Sequence, residues 1–303
     1  MNRRFVYIVG AGASAEAHLP TGDVLRQRII ALLTPIHGDI HARFDLDIHA
    51  ALVDLTHENK DLNGNQPKTP RHIRAYIEAA ERIQSGLPLA ISIDNFLDSH
   101  RDDDCVATVG KLSIAKAILD AERASSLFIQ DEHEHSTLNL RELEQTWYIP
   151  FFKLVTENCA VGDLPRRFSQ LTLLVFNYDR CIEHFLFYAL RRHYPLSKQE
   201  AAELVTSIEI RHCYGSIGPL PWQDLHKGVA FGGSLVSGKL IDSARAIRTF
   251  TEKSMAHAGR PNPIRAALVH ADRIVFIGFG FHKLNMQLLS DCIDPAETAQ
   301  LGR

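Results

Sequence analysis

Three runs of the chain leave few folds open: "FVYIVG" at 5–10, "LTLLVFNYD" at 171–179 and "RIVFIGFGF" at 273–281. Each is apolar with no polar alternation, and each stops at glycines or short polar side chains. A strand that is greasy on every residue suits a sheet covered on both faces, and such sheets are parallel, with helices on either side. The segments between them carry helical spacing. After the first run, Val24, Leu25, Ile29, Leu32 and Leu33 of "TGDVLRQRIIALL" recur at that spacing, with Thr21 or Asp23 able to cap. After the second, Ile182, Phe185, Leu186, Ala189 and Leu190 do the same. The pattern predicts an α/β fold.

A hydride-transfer domain built on the Gly10, Gly12 and Ala15 spacing would follow its first helix with a second strand ending in an acidic residue, about 20 positions past the glycines. No such strand follows. Residues 36–65 are rich in His, Asp and Asn, "DLNGNQPKTP" is a loop by composition, and helical patterns occupy 71–84, 110–129 and 139–158. The expected organisation is a Rossmann-like parallel sheet flanked by helices, made from residues 1–22 and 166–303. Residues 23–165 form a large, mostly helical insertion after the first strand, suited to assembly contacts. In "SIEIRHCYGS", Ile208, Ile210, His212 and Tyr214 alternate onto one face of a further strand, and "GVAFGG" at 228–233 is short enough for another. Helices are expected over about 242–256 and 262–270, and in "KLNMQLLSD".

The bulk properties remove several classes of function. With a formal net charge of −3 the chain has no general field to draw nucleic acid; the Arg pairs at 166–167 and 191–192 read as solvated faces. No apolar stretch approaches the roughly 20 residues of a membrane span. The first run is too short for the core of a signal peptide, so a cytoplasmic protein is expected. The five cysteines are scattered and include no C-x-x-C pair, which fits free thiols and not a zinc ribbon. Sixteen histidines invite a metal reading, with "DEHEHS" at 131–136 the densest cluster, but His133 and His135 lack the i, i+4 spacing of helical ligands. No metal is expected.

In open α/β sheets, ligands sit outside the carboxyl ends of the strands. Here those ends are Gly10–Ser14, Asn177–Asp179, His212–Ser216 and Gly278–Phe281, each polar or glycine-rich after an apolar run. Gly10 and Gly12 allow a sharp turn and let amides approach a phosphate, although a tight strand-to-helix turn needs the same residues without any ligand. Asn177 carries a donor and an acceptor on one short side chain, suited to a ribose hydroxyl or an attacking water; capping the next helix is its plainer use, and Asp179 could cap instead. His212, near the strand end, would titrate near neutral pH and could act as a general base, or be a satisfied core histidine.

Taken in order, "GAGAS…LPTG", "VFNYD", "H-x-YGS" and "FIGFGF…N" resemble the sirtuin-like (silent-information-regulator-type) NAD-binding domains, in particular the bacterial members found in antiphage defence. The resemblance covers about 5–22 and 171–290; within the insertion only "SIDNFL" is similar, with Asp94 as the candidate site acid. What it implies is a pocket that cleaves the nicotinamide–ribose bond of NAD. Gly10, Ala11, Gly12, Ser14 and Thr21 would hold pyrophosphate and ribose, with Asp179 beside them. Asn177 would orient the ribose and a water. Gly278 and Gly280, with Asn285, would line the adenosine site, and Tyr214, Gly215 and Ser216 the ribose side. In the family the catalytic histidine directly precedes the glycine of "HGS"; here Tyr214 takes that place and His212 lies two residues earlier, about 6.6 Å along a strand and on the same side. His212 is therefore the expected base.

The lack of a C-x-x-C zinc ribbon sets the chain apart from the family's deacetylases. The expected activity is that of an NAD+ hydrolase depleting NAD in abortive infection, working as a homo-oligomer with an activating partner protein in trans. The alternatives are an NAD- or ADP-ribose-binding sensor or assembly module without turnover, and an NAD-dependent deacylase or ADP-ribosyltransferase.

Overall fold

The computed structural model describes residues 4–35, 44–62, 64–66, 71–130, 136–233, 237–249 and 263–290. The expected outline is what forms. Four strands, β1 (Phe5–Val9), β2 (Leu171–Val175), β3 (Glu209–His212) and β4 (Arg273–Ile277), make one sheet in the order β3-β2-β1-β4. All three pairings are parallel: Phe5 lies opposite both Leu171 and Arg273, and Val175 opposite His212. All four carboxyl ends therefore open on the same edge of the sheet.

The helices of the first half are α1 (Ala11–Ala15), α2 (Gly22–Leu32), α3 (Leu46–Glu58), α4 (Ile73–Gly86), α5 (Ile93–Ser99) and α6 (Asp104–Arg123). Then come α7 (Leu140–Leu143), α8 (Tyr148–Thr156), α9 (Leu164–Phe168), α10 (Cys181–His193), α11 (Lys198–Ser207), α12 (Ser237–Ala246), α13 (Pro263–Val269) and α14 (Lys283–Ser290). Short polar side chains set several starts by accepting from amides that a helix's first turn leaves unpaired. Asp45 does so for α3, Ser92 for α5 and Asp103 for α6, and Ser197 with Glu200 forms a capping box on α11.

Alternate residues of the strands feed two cores. Val6, Ile8, Leu174 and Phe176 join α2–α6, α12 and residues from α13 and α14 on one face. Tyr7, Val9, Leu171, Leu173 and Val175 join α8, α10 and the 138–168 region on the other. The 23–165 stretch thus shares its core with the sheet and contributes to both covering layers. Among the described residues no helix is long and apolar enough to cross a membrane.

Four local expectations fail. "RIVFIGFGF" has the composition of a strand buried on both faces, but β4 is an edge strand paired only with β1 among the described residues, and Ile274, Val275 and Phe276 are 37–43% exposed. Composition records what a strand can bury, not whether the chain supplies a cover. "GVAFGG" makes no strand, because the Val229 and Ala230 carbonyls accept from Arg180 and the Gly232 amide donates to Glu122. The single helix expected over 139–158 is two, α7 and α8, separated at 144–147. Tyr214 does not share a face with His212. β3 ends at His212, the Gly215 amide turns back to the His212 carbonyl at 3.1 Å with Gly215 at φ +72°, and Tyr214 enters the core opposite to that of Ile208. α12 ends at Ala246; the rest of the helix expected to 256 falls partly on residues outside the described ones, as do His133, His135 and Cys292.

Candidate functional site

The segment 176–180 joins β2 to α10, and the polar side chains from Asn177 to Glu183 each have a separate job. The Asn177 amide nitrogen donates to the Gly10 carbonyl at 3.1 Å and to Ser14 Oγ at 2.9 Å. Ser14 Oγ in turn donates to Asp179 Oδ1 at 3.1 Å. That carboxylate also accepts from the Cys181 amide at 3.2 Å, so the helix-opening role belongs to Asp179, not Asn177. Because a carbonyl only accepts, Gly10 fixes which end of the Asn177 amide faces it. Both amide hydrogens are then used. The other end, Oδ1, has no hydrogen-bond partner although Asn177 is only 5% exposed. A buried acceptor without a donor is costly, commonly by about 1–3 kcal/mol. Such a cost is tolerated where a ligand or water supplies the donor.

The other strand ends meet this one. Gly12 N–H donates to the Gly278 carbonyl at 2.9 Å and Gly10 N–H to the Ile277 carbonyl at 3.0 Å. The contact is close enough to require glycine: a Cβ on Gly12 would stand 2.8 Å from the Gly278 oxygen, and one on Gly278, at φ +54°, 1.9 Å from the Ala13 nitrogen. The small residues at the turn are thus explained by backbone packing against the end of β4, and two of its amides are already engaged. Tyr214 donates to Asn285 Oδ1 at 2.9 Å, and Asn285 Nδ2 to the Gly280 carbonyl at 3.2 Å, which links the ends of β3 and β4 to α14. Trp147 closes the other side, its indole N–H reaching the Ala13 carbonyl at 3.0 Å.

Asp94 is brought in from α5 by a short hydrogen bond from the Tyr178 hydroxyl; burial raises its pKa and the Tyr178 bond opposes the rise. Burial likewise raises Asp179, against its bonds from Cys181 and Ser14. Gly215 is held by packing, since a Cβ there would meet the Ala246 carbonyl at 2.1 Å, and Ser216 next to it is half-buried. Ala11 opens α1 and is half-buried. Thr21 opens α2, its carbonyl accepting from Leu25, and no hydrogen bond joins its side chain to the strand ends among the described residues.

His212 is at the site but differently placed from a free base. Its Nδ1 lies 3.0 Å from the Asn177 carbonyl oxygen and its Nε2 2.7 Å from Glu183 Oε1. Three residues that reading the sequence missed complete the surroundings: Glu183, Arg180 and Glu122. Arg180 and Glu122 form an ion pair at 2.6 Å with side chains 1% and 0% exposed, and it ties α6 to the turn that carries Asn177. A faint signal existed for Glu122 and Glu183, each a charge on an otherwise apolar helix face, while Arg180 lies in the turn before α10. No group of side chains able to hold a metal ion occurs among the described residues.

Compared with protein-family models, with curated proteins and with solved structures, the chain matches none.

Proposed function

We propose that the site at the carboxyl edge of the sheet binds NAD+ and hydrolyses its nicotinamide–ribose bond. One observation carries the reading: Asn177 Oδ1 is a buried acceptor with no hydrogen-bond partner among the described residues, its amide fixed by Gly10 and Ser14 at the point where the strand ends meet. A ribose hydroxyl or a water can supply the missing donor. A water donating to Oδ1 keeps a lone pair for the anomeric carbon. As the C–N bond breaks, its electron pair passes to the pyridinium ring, which leaves as neutral nicotinamide. The ribose carbon becomes oxocarbenium-like, the water oxygen bonds to it, and the surplus proton goes to solvent, giving ADP-ribose. What such a reaction asks of a protein is ribose positioning and one oriented water, which suits an asparagine held on three sides. The resemblance to sirtuin-like domains agrees with this chemistry, and abortive defence is the setting it suggests.

The NAD phosphates would reach the Gly12 amide only once the Gly278 carbonyl draws back from it. A second reading, an NAD- or ADP-ribose-binding module without turnover, is favoured by His212, whose two ring nitrogens already face the Asn177 carbonyl and Glu183. Nicotinamide release, assayed across oligomeric fractions from a sizing column, separates the two. Hydrolysis predicts release that Asn177→Ala abolishes with its thermal melt retained. Equal NAD consumption by the wild type and Asn177→Ala refutes the assignment, and tight calorimetric binding of NAD with no turnover in any fraction selects the binding module.

A further inference from the structure

His212 lies where a general base is expected, yet both of its ring nitrogens face acceptors. The Asn177 carbonyl can only accept, so Nδ1 carries a proton. Glu183 Oε1 faces Nε2 at 2.7 Å, and its side chain is 8% exposed. Burial pushes the Glu183 carboxyl up, but the charge and hydrogen bond of His212 outweigh it, with Arg180 adding to the pull, and leave Glu183 below the ordinary carboxylate value. Glu183 is therefore an ionised acceptor. For His212, burial presses the imidazole down, while Glu183, the Asn177 carbonyl and the nearby Asp179 charge raise it overall. The ring sits at the carboxyl end of β3, with α10 supplying Glu183 and the β2–α10 turn supplying Asn177, Asp179 and Arg180.

We propose that Glu183 and His212 are positioning residues, a buried ion pair in which a doubly protonated ring clamps the Asn177 carbonyl and so sets the orientation of Asn177 Oδ1 at the strand ends. The role rests on the NAD-cleaving reading for its purpose, but the ion pair itself does not. No side chain here has to remove the proton of the attacking water, because a pyridinium leaving group departs without acid assistance and the oxocarbenium-like carbon is electrophilic enough for neutral water. His212 then contributes by its place and charge, and Glu183 by keeping that charge in a dry site.

The test is a long-range ¹H–¹⁵N spectrum of the intact protein labelled at histidine and asparagine, with the His212 ring assigned by its loss in His212→Gln. In wild type at pH 7.5 both ring nitrogens show the protonated signature. In Glu183→Gln the ring is neutral at that pH, and the Asn177 side-chain amide resonances move. A wild-type ring with an unprotonated nitrogen at pH 7.5 overturns the proposal, as do Asn177 resonances unchanged by Glu183→Gln. Should Glu183→Gln not fold, the wild-type spectrum still decides the charge state. With NAD, wild-type turnover shows no rising limb between pH 5.5 and 7.5, whereas a histidine base would give one. Glu183→Gln lowers kcat at least tenfold with KM nearly unchanged. A rising limb that disappears in His212→Gln overturns the positioning role. A charged ring together with no NAD turnover in any fraction refutes the NAD reading and leaves the ion pair standing.

Discussion

Replacing Glu122 by alanine tests how the helical first half holds the site. The carboxylate accepts from Arg180 N at 3.3 Å, Nε at 3.1 Å and Nη2 at 2.6 Å, and from the Gly232 amide at 3.0 Å. Without it, a guanidinium that is 1% exposed keeps the carbonyls of Val229 at 2.6 Å, Ala230 at 3.2 Å and Pro219 at 3.4 Å but loses the carboxylate hydrogen-bonded to it. Breaking a buried pair by removing one partner typically costs about 3–5 kcal/mol, because the remaining charge is stranded. At roughly 2 cal/mol/K of unfolding entropy per residue, a chain of this length loses about 5–8 °C of Tm for that cost. Calorimetric melting of Glu122→Ala measures the cost directly. The double variant Glu122→Met with Arg180→Met removes both charges, and its loss should be smaller than the sum of the two single losses. A Glu122→Ala protein within about 1 kcal/mol of wild type, or single losses that simply add, would refute the reasoning. On the proposed NAD-cleaving reading, Glu122→Ala also loosens the turn between Asn177 and Cys181, so nicotinamide release should fall below that expected from stability alone.

Gly278→Ala puts a Cβ 1.9 Å from the Ala13 nitrogen at a φ of +54°, and should cost at least about 2 kcal/mol in urea denaturation. His184 is buried, accepts no charge until about pH 3, and stacks on Phe231 at 4.0 Å. Unfolded, it takes its proton near the ordinary 6.5, so stability falls as pH drops from 6.5 toward 3, and the urea midpoint of His184→Phe should decline less over that range. Glu183, held below its ordinary 4.5, withdraws its contribution as pH falls further through the folded value. His212, held above 6.5, acts oppositely: its contribution is complete below 6.5 and fades as pH rises through the folded value, so Glu183→Gln should lose least stability, relative to wild type, at high pH. Trp147→Phe removes the hydrogen bond to Ala13 and should cost about 1 kcal/mol by thermal melting.

The strand ends were readable in the chain because an apolar run followed by glycine or a short polar residue has one meaning in a parallel sheet. That pattern placed Gly10, Asn177, His212 and Gly278 on one edge, where they are found. The partners of buried charge were not readable. Glu122 and Arg180 are 58 positions apart, and a charged residue on a helix reads as solvated until the opposite charge is seen. The face of Tyr214 was misjudged for a local reason: alternation holds only while the strand lasts, and Cys213 N–H bonds the Val175 carbonyl at 2.6 Å just before the chain turns. The edge position of β4 was hidden because its composition matches that of β2, which is covered on both sides.

The sheet order also governs how the protein is made. β1 is made before the other three strands yet occupies an inner place, with β2 on one side and β4 on the other. Ser14 meets Asp179 across 165 positions, and Arg4 meets Asp272 across 268. At about 5–20 residues per second of synthesis, the first strand waits some 15–50 s for its last neighbour. During that interval "FVYIV" is an apolar strand lacking one or both of its neighbours, a hazard for self-association that long-range parallel pairing makes hard to avoid. The candidate site is therefore complete only once β4 has been made: a nascent chain that stops before β4 carries the Asn177 turn but not the wall against which Gly10 and Gly12 pack.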